Sequence, residues 1–494
     1  MTRTTTTTTT RTPEISSPAA APPRRSPTSL PSRAPGPTDR YGLRNVASMT
    51  SEGTLGFLRR LTDEYGDVVQ LKIFGRDYFL VNHPEDIEDV LVKQSAVMGR
   101  DEYVVVLERA LGQGLLTSSG ELWRRQRKLM AQAFTPRRIR DYGESMARVT
   151  ASALGYEDGE IINIHVEMAR ITMEVVAAVL FGATLRPSDL EMVGESLEVL
   201  NTFFANSPEA MLKVPGWVPT PLNRKVAAAV KRLDGLIYSI LAARRAERAQ
   251  RAAQGLEPSA PEGQRDGQKE DLLGVLLTAQ DEGGGTMSDQ QLRDEAMTLF
   301  LAGHETTALA LAYTFYLLST HPSVEQRVRE ELDRVLGDRL PTADDAKQLV
   351  FTERVLKESM RLYPPAWTTG RQAEADVVVG GYRVPKGSQL LLCQWIVHRD
   401  RRFFPDPEAF DPDRWLPERA KNLPKFAYFP FGGGPRVCIG SHFAMMEATL
   451  ILAVVLQRYH LELLPGQLLG LKPSVTLRQQ GPGLRMRARA ISHA

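Results

Sequence analysis

Cysteine is nearly absent from this chain. Two in 494 residues cannot build a disulfide scaffold or a four-cysteine zinc site, so each acts singly or not at all. A reducing, cytoplasmic home is the expectation. Long apolar runs are missing as well. No uninterrupted stretch of about eighteen apolar residues marks a membrane span, so no integral membrane anchor is expected. The N-terminus lacks a basic start followed by an apolar core and a cleavage site. A net charge of +2 is too balanced for a nucleic-acid partner.

What is present divides unevenly. Residues 1–40 are rich in Thr, Ser, Pro and Ala and carry six arginines against two acids. Such a segment cannot bury enough apolar surface to offset its ordering entropy, so it reads as a disordered tail, with ordered structure expected from about Tyr41. The rest, 41–494, reads as one unit. "VVQLKIFG" and "DYFLVN" read as a hairpin around Gly75 and Arg76. Helical patterns dominate after Pro84, interrupted by a loop-like stretch from Ala252 to Asp271. Short strands return in "DVVVGGYRVPKGSQLLLC". The fold class is therefore mainly α with small β-sheets.

The stretch "FGGGPRVCIG", Phe431–Gly440, holds one of the two cysteines. Cys438 has three readings: a buried structural cysteine, a nucleophile with His442 as base, or an axial haem ligand. The sequence after it has helical periodicity, which sets the sulfur just before a helix N-terminus, where dipole and free amides favour a thiolate. The glycines let backbone approach a flat cofactor closely, and Arg436 can pair with a carboxylate.

The run resembles the ligand-loop signature of the cytochrome P450 family, F-x-x-G-x-R-x-C-x-G, at Phe431, Gly434, Arg436, Cys438 and Gly440. Further family motifs follow the expected order along the chain. The resemblance implies the cytochrome P450 fold, a single haem-binding domain, and haem b (iron protoporphyrin IX) held by Cys438 as its only protein metal ligand. A thiolate in that position favours O–O cleavage. Cys393, in an apolar strand, is expected to be inert core.

"LAGHETTALALAYTFYLL" resembles the family's distal signature. A capping-box pattern at Ser288 and Gln291 starts its helix, and His321-Pro322 ends it. Ala302 and Gly303 leave room for dioxygen. Thr306 can bond back to the carbonyl of Ala302. The resemblance gives Glu305 the acid role and Thr306 the alcohol role in proton delivery, with His304 and Thr307 as packing or water contacts. "KESMRLYPP" supplies the family's E-x-x-R pair, Glu358 and Arg361. "FDPDRW" supplies Arg414, with Trp415 where phenylalanine is more frequent. That triad is structural. Trp123, Arg127, Arg371 and Arg436 match propionate-binding positions, while Phe431 and Gly440 flank the thiolate.

The activity implied is that of a haem-thiolate monooxygenase. It uses O2 and NAD(P)H-derived electrons to insert one oxygen atom into a lipophilic substrate, by hydroxylation or epoxidation. A peroxide-driven peroxygenase or an isomerase is the alternative on the same fold, and a haem-binding sensor the weaker one. The substrate pocket is expected from the loop Gln94–Gly120 and from Phe203, Phe204, Leu299, Ala302, Ala366, Trp367 and Val475. "RLYPPAWTTGR" and "SVTLRQQGPG" look like bacterial fatty-acid and carotenoid hydroxylases. No flavin or iron–sulfur domain follows Gly440, so a ferredoxin or flavodoxin with its reductase is the expected partner. It is expected to dock on Arg124, Arg125 and Lys128, with Arg137 and Arg138 nearby.

Overall fold

The computed structural model describes residues 33–182, 186–206, 214–254 and 271–491. Most of the tail, and most of the loop Ala252–Asp271, lie outside them. The described structure includes residues before Tyr41. Ala34 is buried, and the carbonyl of Pro35 accepts from the amide of Gln70 at 2.8 Å, so the last residues of the presumed tail are fastened to the first strand.

A helix of 32 residues, Asp289–Thr320, runs through the helical body. At 1.5 Å per residue it is about 48 Å long. Its start is the expected capping box: Ser288 Oγ accepts from the Gln291 amide at 3.2 Å, and Gln291 Oε1 accepts from the Ser288 amide at 3.1 Å. It ends at His321, before Pro322. The partner it meets most extensively is the helix Ile164–Phe181. Small and polar residues permit the approach. A Cβ on Gly303 would stand 3.3 Å from Val176, and Thr172 Oγ1 donates to the carbonyl of His304 at 3.0 Å. A third apolar helix, Ser441–Arg458, completes this core.

The β part is small and mixed. Val68–Ile73, Arg76–Val81, Gln389–Leu392, Thr369–Ala373 and Met98–Gly99 form one sheet in that spatial order. The first two are the expected hairpin, turning at Phe74 and Gly75, both at positive φ. Arg76–Val81 then pairs in parallel with Gln389–Leu392. Met98–Gly99 pairs with Thr369–Ala373, setting Gly99 against Gln372. That last pairing matters most for the site, because it puts Arg100 beside Arg371.

Candidate functional site

The loop Phe431–Gly440 is closed by a backbone bond from the Cys438 amide to the Phe431 carbonyl, 3.0 Å. Its glycines are required by space. Gly434 sits at φ 69°, and a Cβ there would lie 1.8 Å from the carbonyl oxygen of Leu91. A Cβ on Gly433 would lie 2.2 Å from the Phe426 ring. The chain behind is held by His398, whose Nε2 accepts from the Phe429 amide at 3.0 Å. Gly440 then caps Ser441–Arg458, placing the sulfur two residues ahead of the cap.

Cys438 is exposed yet ringed by protein, so its sulfur faces an internal space. Desolvation pushes its thiol up, against the opposing pull of the Gly440 amide and Arg127. Cys393 differs. It is buried, its Sγ lies 3.5 Å from the Trp367 carbonyl, and its thiol is pushed up to about 12 by burial. It is inert core, as expected. His442 is exposed and sits on the helix after the loop, with no hydrogen bond to Cys438.

Guanidinia gather near this loop without ion-pair contacts, although Asp101 acts on Arg100 and Arg371 and Glu374 acts on Arg436. Arg100 donates to the carbonyls of Ser118 (3.3 Å) and Leu115 (2.8 Å). Arg436 donates to the same Ser118 carbonyl at 3.2 Å and lies 4.2 Å over the Trp123 ring. Arg371 is buried and donates to the carbonyl of Gly370 at 2.7 Å. Among the described residues none of the three forms an ion pair. Burial pushes Arg100 down to about 9, and the charges of Arg436 and Arg371 push the same way. Arg436 is lowered to about 10, by burial first and then by Arg371. Arginine does not give up its proton in proteins, so this is a cost that a bound anion would relieve. Desolvation pushes half-buried Arg127 down, and Cys438 pulls against it. Paired propionates are the anions such a group fits, and the exposed thiol of Cys438, two residues beyond Arg436, fits haem iron. Arg100 was not singled out from sequence.

The central helix carries an exposed stripe in its buried middle. Leu299, Ala302, Gly303 and Thr306 keep exposure while most of their neighbours, Leu301 excepted, are buried, and their spacing puts them on one face. Thr306 Oγ1 donates to the Ala302 carbonyl at 2.8 Å, the expected back-bond. Glu305 points elsewhere and is buried. Its Oε1 accepts from Arg478 Nε at 2.6 Å and from Thr476 Oγ1 at 3.0 Å. Burial alone would raise this carboxyl. Arg478, His304 and Thr476 outweigh it and hold Glu305 below the usual carboxylate range. Arg478 also reaches Glu198, at 3.7 Å, on the helix Pro187–Asn206. Neither Arg478 nor Thr476 was found from sequence, since they lie about 170 residues away.

The triad forms and gains a member. Arg361, fully buried, donates twice to Glu358 at 2.9 Å and to the carbonyls of His398, Pro407 and Ala409. Arg414 donates to Glu358 at 3.3 Å. Trp415 donates its indole N–H to Glu358 at 3.0 Å, a bond phenylalanine cannot make.

Other expectations need correction. Trp367, expected on the pocket wall, is buried: its indole N–H donates to the Ser474 carbonyl at 2.8 Å, and it belongs to the core cluster that includes Leu80 and Leu477. Phe203 and Phe204 are buried, and Phe203 lies 4.7 Å beneath the Arg109 guanidinium. Ala366 is half-buried and Val475 is 38% exposed, so both remain candidates for the pocket wall. The span Gln94–Gly120 is not all loop, because Glu102–Leu111 is a helix. Arg125 is not on a free outer face. It pairs with Asp281 at 2.7 Å and donates to the Thr286 carbonyl at 3.0 Å. Lys128 pairs with Glu282. Among the described residues no helix is long and apolar enough to cross a membrane.

The family model "Cytochrome P450" matches residues 35–481. Cyclooctatin synthase of Streptomyces melanosporofaciens is 38% identical over 448 residues, 89% of this chain and 92% of that protein. Cyclooctat-9-en-7-ol 5-monooxygenase of the same organism is 34% identical, over 81% of this chain and 84% of that protein. Pentalenene oxygenase of Streptomyces avermitilis is 32% identical, over 81% and 85%. Among solved structures, retinoic-acid-bound cyanobacterial CYP120A1 superposes with a TM-score of 0.77 at 27% identity, covering 94% of this chain and all of that one.

Proposed function

The chain belongs to the cytochrome P450 family and is a haem-dependent monooxygenase, and we propose that it oxygenates a cyclic terpene with electrons from a separate ferredoxin or flavodoxin. The observation that carries the substrate reading is the agreement of two relatives, each matching 81% of this chain, whose names specify oxygenation of cyclooctat-9-en-7-ol and of pentalenene.

Bound haem supplies dioxygen activation, with a thiolate ligand favouring O–O cleavage. The chain's residues do the rest. Cys438 is the thiolate, held by the closed loop and the glycines behind it. Trp123, Arg100, Arg127, Arg371 and Arg436 hold the propionates, and desolvated guanidinia bind such anions strongly. Leu299, Ala302 and Ala366 offer an apolar wall that orients a hydrocarbon by shape. Thr306 holds a proton at Oγ1, and rotation away from the Ala302 carbonyl turns that proton toward the distal space. Glu305, held as a carboxylate by Arg478 and Thr476, relays the replacement proton from water.

The test is a spectral titration of the ferric holoenzyme with pentalenene, a cyclooctatenol and a fatty-acid series. The cyclic terpenes should produce the low-to-high-spin change at micromolar concentration. A spin change with fatty acids alone would overturn the substrate reading and leave the family intact. Turnover with peroxide at the rate supported by a reductase system would replace the monooxygenase route with a peroxygenase one.

A further inference from the structure

We propose that Trp415 is an electron donor to the haem site, acting through Tyr428, and that it discharges oxidising equivalents left there when no substrate takes the oxygen atom. This rests on Cys438 being the haem thiolate.

The two rings are in close contact. Their centroids lie 4.3 Å apart, at 51°, a shorter separation than the roughly 4.5–7 Å usual for aromatic pairs. Trp415 ends the short helical turn Pro412–Trp415 and is half-buried, so one edge of the indole meets solvent. Tyr428 stands three residues before Phe431, whose carbonyl accepts from the Cys438 amide at 3.0 Å. His398 braces that span from the side. Its ring lies 5.1 Å from Tyr428 and 5.5 Å from Phe429, and its Nε2 accepts from the Phe429 amide at 3.0 Å. The connection from indole to ligand residue is thus one ring contact, three residues of chain and one hydrogen bond.

Packing alone does not call for tryptophan here, since phenylalanine also fills such a space. Tryptophan adds an oxidisable ring and an N–H, and the N–H is directed at Oε2 of Glu358, 3.0 Å away. An indole that loses an electron becomes a strong acid, so a carboxylate already bonded to that proton eases the loss. Glu358 is shared with Arg361 and Arg414. Its help is therefore a route for the proton, not a net negative charge. Tyr428 differs. Its hydroxyl donates to the Lys357 carbonyl at 3.0 Å, and an amide carbonyl takes up no proton. The phenol passes the electron on without keeping the vacancy, which comes to rest on Trp415. Trp123 is the other indole beside the site, and its surroundings oppose oxidation. The Arg436 guanidinium lies 4.2 Å over its ring, an attraction that turns to repulsion once the ring is positive.

In each event Trp415 loses one electron, the haem site gains it, and the indole proton shifts to Glu358 Oε2. The reduced ferredoxin or flavodoxin that serves the reaction returns an electron to Trp415 at the surface, and the proton moves back. Two such events, with two protons from water, carry one unspent oxygen atom to water.

The test is freeze-quench electron paramagnetic resonance on the substrate-free ferric holoenzyme mixed with hydrogen peroxide, prepared with and without ring-deuterated tryptophan. The parent should give a radical whose hyperfine pattern narrows on deuteration. Trp415→Phe should lower that signal several-fold and hasten peroxide bleaching of the haem several-fold. Tyr428→Phe should slow the rise of the signal. The far-red-shifted carbonyl band, recorded on the same preparations, tests the thiolate separately. With the band intact, a tryptophan radical that survives Trp415→Phe, or none in the parent, overturns the proposal. So does a rise that Tyr428→Phe leaves unchanged. Absence of the band from the parent strikes the thiolate reading first, and the proposal with it.

Discussion

Arg100 and Arg436 donate to one and the same oxygen, the carbonyl of Ser118, at 3.3 and 3.2 Å. Two cations sharing a single neutral acceptor, with Arg371 adding a third charge, is an arrangement that folding alone does not reward. It is rewarded when an anion arrives.

The consequence is a split between apoprotein and holoenzyme. Arg100→Gln should leave the apoprotein as stable as the parent or more so, because it removes like-charge repulsion and a desolvated charge. It should weaken haem retention roughly tenfold to a hundredfold, the loss of one hydrogen bond to a charged group, about 1.5–3 kcal/mol. Transfer of haem to apomyoglobin reads the second effect, and thermal unfolding of the apoprotein reads the first. Haem transfer at the parental rate would remove Arg100 from the propionate set.

Cys438 makes a spectroscopic prediction. A histidine there could still bind haem iron, but the far-red-shifted Soret band of the reduced carbonyl complex requires a thiolate ligand. Cys438→His should therefore retain part of the haem and lose that band entirely. Persistence of the band in the variant would assign the ligand to another residue.

What could be read from the sequence was what is local. The Ser288–Gln291 capping box, the Thr306 back-bond and the glycines before Cys438 are set by residues within a turn or a tight loop, and they stand where expected. Arg100 could not be read this way. Its place depends on Gly99 pairing with Gln372 across some 270 residues, and nothing in "MGRDEY" marks it as other than a surface arginine. The clamp on Glu305 from Thr476 and Arg478 was hidden for the same reason. Trp367 was hidden differently. A tryptophan reads alike whether it lines a pocket or fills a core, and its N–H bond to the Ser474 carbonyl appears only in the fold. Arg125 followed a correct helical wheel, but the 281–286 loop folds over that face and takes its charge.

Glu295 gives a pH dependence. Burial raises its carboxyl to about 8, against the single amide bond from Leu115 and with Asp294 adding to the rise. Its Oε1 has no partner. The native state therefore holds a proton that the unfolded chain releases near 4.5. Stability from this group is fully present below the unfolded value and declines as pH rises toward about 8, with a limiting slope of about 1.4 kcal/mol per pH unit. Glu295→Gln should flatten that decline, so that the variant matches the parent near pH 4 and exceeds it at pH 8. Denaturant midpoints at the two pH values measure this. A constant difference between parent and variant at both would show that Glu295 is ionised in the folded state.

The last prediction concerns where electrons enter. Of the cations expected on the face of Gly120–Ala131, Arg125 is already neutralised within the molecule, by its partly buried pair with Asp281. Arg124 and Lys128 keep only exposed partners, Glu121 and Glu282, and exposed pairs of this kind are worth about 0–1 kcal/mol. Arg137 is exposed at the start of the next helix, Pro136–Ala153. The steering charges toward an acidic ferredoxin or flavodoxin are then Arg124, Lys128 and Arg137, with Arg125 contributing little. Complementary charge acts chiefly on the association rate, and it fades as the Debye length falls, to roughly 10 Å at 0.1 M salt. Reversing Arg124 and Arg137 to glutamate should slow first-electron transfer about tenfold or more at low salt and leave haem content and substrate titration alone. Reversing Lys128 should slow it in the same way, whereas reversing Arg125 should chiefly loosen the loop at Asp281. Stopped-flow reduction across a salt series separates these outcomes. A rate that ignores both salt and the Arg124 and Arg137 reversals would move the docking face elsewhere on the molecule.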